Sequence, residues 1–208
     1  MNLQRNQNGK RSMDLNSQAN SLMILESQIR ECFGRVAYTH KTQEKCADII
    51  KSRNDKVKLI QIILSALIST SFFVKIFGST KIWEIDVAFV LGAILSVVLL
   101  ALNTYIKDYD LGALMQKHSN CATDLWAIRE SYLSLLTDIK AGIIDVVKIM
   151  ERRDEIQEKL TGIYMGSPRT INKAYSLAQK ALKQNEELTF SDKEIDVMLP
   201  RDLRRTEL

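Results

Sequence analysis

The groups best suited to chemistry are few: Cys32, Cys46, Cys121, His40 and His118. A zinc site needs about four such ligands gathered at short spacings, and these stand singly along the chain, so they make a poor metal set. Cysteines odd in number and without a CxxC motif read instead as reduced thiols, half-buried on helices. His40, at the end of an apolar stripe, reads as a packed or solvated histidine, because histidine's functional roles need a partner that the sequence does not show. The motifs GxxxxGK[ST], GxGxxG, GxSxG and HExxH are absent, and the glycines are scattered, so no loop cradles a phosphate. Carboxylates alternate with bases as on a solvated helix surface. Basic residues do not gather with aromatics on a platform, which leaves nucleic-acid binding with little support. The expectation is a protein that is not an enzyme, with no catalytic residues, no cofactor and no metal.

A second set of polar residues is more telling, because it lies inside apolar runs. Ser65 and Ser69 are four residues apart in one run; Gly92, Ser96 and Asn103 share the other. Small and hydroxyl-bearing residues at this spacing let two helices approach and hydrogen-bond in a membrane. The same face can line a water-filled path once several copies assemble. Both readings of Ser65, Ser69, Gly92, Ser96 and Asn103, helix packing and pore lining, stay open at this point. No acidic or basic residue sits in the middle of either run, which argues against a proton relay or a charge-selective carrier.

The runs themselves are 57–77 and 87–106. The second, VAFVLGAILSVVLLALNTYI, carries no charge between Asp86 and Lys107. A helix rises about 1.5 Å per residue, so about 20 residues cross a hydrocarbon core about 30 Å thick. The first run reaches that length if Lys58 and Lys75 snorkel toward the head groups. Two core helices of a soluble protein would need a large shell, and the remaining sequence is too charged and amphipathic to supply one. Segments near the runs carry seven basic residues (Lys45, Lys51, Arg53, Lys56, Lys58, Lys107 and Lys117), against Lys75 and Lys81 in the loop 78–86 and its edge. By the positive-inside rule both termini face the cytoplasm. Phe77 and Trp83 suit an interfacial position at the far end.

Around this hairpin the chain reads as all-α. Residues 1–17 are polar and expected to be disordered. Residues 18–56 form an amphipathic helix, with Leu22, Leu25, Ile29, Cys32, Val36 and His40 at steps of three and four. The region 107–208 is helical. Its apolar positions Leu125, Ile128, Tyr132, Leu135, Ile139, Val146, Ile149, Ile156, Leu160 and Ile163 make a heptad-like coiled-coil seam, interrupted at Gly142 and Arg153. That seam can pack on the N-terminal helix of the same chain or on a second copy. Ser167-Pro168 is expected to open the next helix as N-cap and first residue. Ser191 and Glu194 form a capping box for a last helix, tethered by Ile195, Met198 and Leu199 and ending before Pro200.

This order of elements resembles the SLATT family, two-transmembrane effector domains of bacterial conflict systems, over about residues 20–205. The stretches that carry the resemblance are Ile163-Tyr164-Met165-Gly166-Ser167-Pro168-Arg169-Thr170, then Ala174-Tyr175 and Ala178, and the ending from Glu187 to Pro200. The resemblance implies an antiviral membrane effector, forming pores as a homo-oligomer in the lipid bilayer when a separately encoded sensor or nucleotide-signalling protein detects infection. A non-conducting membrane scaffold that recruits a cytoplasmic partner is the alternative. The family supplies no catalytic residues to carry over.

Overall fold

The computed structural model describes the backbone of residues 2–77, 81–82, 85–200 and 204, and the side chains of 19–73, 76, 87, 89–200 and 204. Six helices follow one another: α1 (Asn2–Phe77), α2 (Val87–Asp108), α3 (Leu111–Ala141), α4 (Val146–Gly166), α5 (Asn172–Lys183) and α6 (Asp192–Met198). Between α1 and α2, β1 (Lys81–Ile82) and β2 (Ile85–Asp86) pair antiparallel, with Lys81 opposite Asp86 and Ile82 opposite Ile85. This two-residue ladder only closes the hairpin, and the class is all-α. Trp83, Arg201 and Arg205 lie outside the described residues, as does the side chain of Phe77.

The chain divides into two compact units, a body of residues 1–45 and 119–208 and a hairpin of residues 46–118. In the body, Leu25, Ile29, Cys32 and Val36 of α1 form one core with Leu125, Ile128, Tyr132, Leu135 and Ile139 of α3 and Ile149 and Ile156 of α4. The heptad-like seam is therefore largely filled within one chain. Leu125, Ile128, Tyr132, Leu135, Ile139, Ile149 and Ile156 are buried there and offer little apolar area to a second copy, whereas Val146, Leu160 and Ile163 stay partly exposed. Arg153, which interrupts the seam, reaches α1 and donates to Gln28 Oε1 at 3.0 Å.

The α3–α4 turn is set by Gly142, whose φ of 66° is open to glycine at little cost. The Gly142 amide donates to Ile139 O and the Ile143 amide to Asp138 O, the double closure of a Schellman ending. Asp145 then caps α4 by accepting from the Lys148 amide at 2.9 Å.

Several local expectations differ from the structure. Residues 2–17, expected to be disordered, continue α1. Once a helix is nucleated each added residue gains one backbone bond, and Gln, Arg, Lys, Met and Leu are good helix formers. Ser167 does not open α5 but closes α4: its Oγ donates to Ile163 O at 2.8 Å, and Pro168 cannot continue the helix. Helix α5 starts four residues later, with Ile171 as an N-cap that makes no side-chain bond. The capping box at Ser191 and Glu194 is present, with both reciprocal bonds. Of the expected tether of α6, Leu199 is half-buried, whereas Ile195 and Met198 are exposed and the buried residue of that helix is Asp196.

Candidate functional site

The hairpin positions the five residues singled out by type and spacing. Along α1 the half-covered residues are Val57, Gln61, Leu64, Ile68 and Ser71; along α2 they are Gly92, Leu95, Leu99, Leu102 and Ile106. Steps of three and four make each a single stripe, and two links join them. A Cβ added at Gly92 would lie 3.5 Å from Ser71 Cβ, and Gln61 Nε2 donates to Asn103 Oδ1 at 2.6 Å. Gly92 and Asn103 therefore stand where α1 meets α2. The approach at Gly92 is ordinary van der Waals contact, so an alanine would fit there too.

Ser65 and Ser69 do not face α2; both are exposed, and Ser96 is exposed at the edge of a cleft. Each hydroxyl is satisfied within its own helix. Ser65 Oγ donates to Gln61 O at 2.8 Å, Ser69 Oγ to Ser65 O at 2.9 Å and Ser96 Oγ to Gly92 O at 2.8 Å. Thr70, Ser71 and Thr104 repeat the pattern. A hydroxyl bonded back to the carbonyl four residues earlier in its own helix tolerates hydrocarbon without help from another helix. The cleft that Ser96 edges holds about 220 Å³ and is closed mainly by Ile68, Phe72, Phe89 and Ala93. Gln61 and Ser71 were missing from the residues singled out, although a polar side chain inside an apolar run was signal enough to include them.

Among the described residues two helices are long and apolar enough to cross a membrane, and none of the residues in their most apolar windows is buried. The exposed apolar set includes Ile62, Phe72, Phe73, Phe89, Val97 and Leu100. A core-helix pair would show the reverse. Leaving this much apolar surface open to water is unfavourable, at about 25 cal/mol per Å².

The body gathers a second polar group, which sequence spacing did not reveal. Lys41 is buried on α1 and sits 2.8 Å from both Glu44 and Glu187, with Lys45 3.3 Å from Glu187. Burial works against the Lys41 charge, but the two carboxylates outweigh it and hold the ammonium above its ordinary value. The hydrogen bond from Lys41, helped by those from Asn185 and Lys45, takes the Glu187 carboxyl down to about 2. On the same stretch, His40 Nδ1 donates to Ala122 O at 2.9 Å and its ring lies 5.3 Å from Trp126, so it is a packed histidine. Gln43 Nε2 donates to Pro168 O at 3.3 Å, and Cys121 Sγ lies 3.0 Å from Ser167 Oγ. The Ser-Pro turn and the Glu187 loop, both within the stretches that carried the resemblance, are thus bound by polar contacts inside the body: Ser167 to α3, Pro168 and Glu187 to α1.

The three cysteines are buried free thiols. Among the described residues no group of three or more His, Cys, Asp or Glu side chains could hold a metal ion. Comparison with curated proteins and with solved structures found no match. The model of the SMODS and SLOG-associating 2TM effector domain family 4 matches residues 25–194, which takes in the apolar hairpin, the three-helix core and the polar ties of the Ser-Pro turn and Glu187. The chain belongs to that family of two-transmembrane effector domains.

Proposed function

We propose that this protein acts in a bacterial anti-phage or conflict system by opening the inner membrane, without catalysis. In this reading it spans the bilayer twice with both termini in the cytoplasm. Several copies assemble, and a separately encoded sensor or nucleotide-signalling protein triggers them. The observation that carries the reading is the exposed pair Ser65 and Ser69, off the α2-facing stripe, on a span whose most apolar window has no buried residue. Lipid gains nothing from a polar row, whereas a second copy or a water-filled path does. With most of the core seam buried within the chain, assembly falls to the outer faces of the hairpin.

The test is membrane potential and propidium entry after induction in bacterial cells, alone and with the neighbouring gene. Depolarisation is expected with the wild type under one of these conditions, and its loss with Ser65→Leu combined with Ser69→Leu. A double variant that depolarises as fast as wild type removes the pore-face assignment. A membrane that stays sealed under both conditions leaves the non-conducting scaffold.

A further inference from the structure

The body contains a cleft of about 250 Å³ between α1, α3 and α4, with Tyr132 at its inner wall. Tyr132 is fully buried, and its Oη has no oxygen or nitrogen partner, only the Cys32 thiol beside it. A thiol is a weak acceptor, and leaving a buried hydroxyl without a good partner costs about 1–3 kcal/mol, so a tyrosine rather than a phenylalanine here carries a penalty that the fold does not offset. A ligand that accepts from the phenol would account for it.

The other groups lining the cleft define what such a ligand must be. Burial, the first cause, and the neighbouring Cys32 push the Tyr132 phenol up to about 12, so it stays a donor at neutral pH. Gln157 lends its amide, whose Nε2 makes only a weak 4.0 Å contact with Cys32 Sγ. Arg35 stands at the rim, its long 3.5 Å pair with Glu31 leaving further N–H groups for another anion. No carboxylate lines the cleft, and Val36 and Leu160 supply apolar wall. A volume of this size exceeds one water several-fold but lies below the range of drug-sized pockets.

We infer that the cleft formed by Arg35, Tyr132, Gln157 and Leu160 binds a small organic carboxylate with a compact apolar body, the phenol and guanidinium meeting its oxygens. The site lies wholly within the body and does not depend on what the hairpin does.

The experiment is calorimetric titration of the full chain in detergent micelles with phenylacetate, and with phenethylamine as the charge-reversed isostere. Saturable binding of phenylacetate with a Kd of about 1 mM or tighter is expected, with none for the amine. Tyr132→Phe should weaken binding about tenfold, the usual share of one hydrogen bond to a charged group. Arg35→Gln, at an exposed position where folding is not at risk, should do the same. Equal response to acid and amine, or unchanged affinity in both variants, overturns the proposal. So does a crystal structure grown with phenylacetate in which only an ordered water meets Tyr132 Oη.

Discussion

Body and hairpin are both built of long helices whose hydroxyls bond back within the helix, yet they differ in how far their other polar groups reach. In the body, polar side chains reach across from one element to another: Arg153 to Gln28, Gln43 to Pro168, Lys41 to Glu187. In the hairpin almost every hydroxyl turns back on its own helix, and Gln61 to Asn103 is the cross-helix bond described. The apolar groups differ as well: the body has a continuous buried core, and the most apolar windows of the hairpin have no buried residue. The body's core is thus complete within one chain, whereas the spans leave their apolar faces open. The hydrophobic effect drives the first; in lipid it no longer distinguishes a neighbouring helix from an acyl chain.

The largest effect that would sharpen this contrast comes from leucine truncation. Leu125→Ala in the body core should cost about 3 kcal/mol, and Leu100→Ala on the hairpin surface less than about 1 kcal/mol, by denaturant unfolding in micelles. Similar costs at the two positions would mean that the hairpin surface is packed after all. A smaller effect belongs to the Lys41–Glu187 pair, which is partly exposed and worth about 1 kcal/mol. Because the Glu187 carboxyl lies at about 2 against an ordinary 4.5, its contribution is present above the ordinary value and lost as pH falls toward 2. Melting temperature should decline across that acid window, and Glu187→Gln should flatten the decline. The smallest is the Gln61–Asn103 bond: a double-mutant cycle with leucine and alanine should give a coupling of about 0.6 kcal/mol. A coupling several times larger would make the hairpin's polar groups the equal of the body's.

Much of the architecture was legible because it rests on local signals. A charge-free run flanked by Asp86 and Lys107 marks α2, Ser191 and Glu194 announce α6, and apolar steps of three and four trace the core from Leu125 to Ile156. What was not legible depends on partners far away in the chain. Glu187 finds Lys41 across most of the sequence, and nothing in the surroundings of either announces the pair. Asp196 is buried where its apolar neighbours are not, which no hydropathy pattern would suggest. Ser65 and Ser69 had the right type and spacing, but a helix has several faces. Only the position of α2, marked by Gln61 and Ser71, shows that the serines lie on another one. The same limit applies to Ser167, whose role as cap depends on which side of Pro168 the helix lies.

The burial of Cys32, Cys46 and Cys121 has a practical corollary. With Cys32, which lines the body cleft, replaced by serine, maleimides and other water-borne thiol reagents should find no native thiol to modify on the intact fold, so that chain is a silent background. A single cysteine introduced at Ser65, Ser69 or Ser96 would then report by itself, through its rate of modification before and after triggering, whether that position meets water or oil.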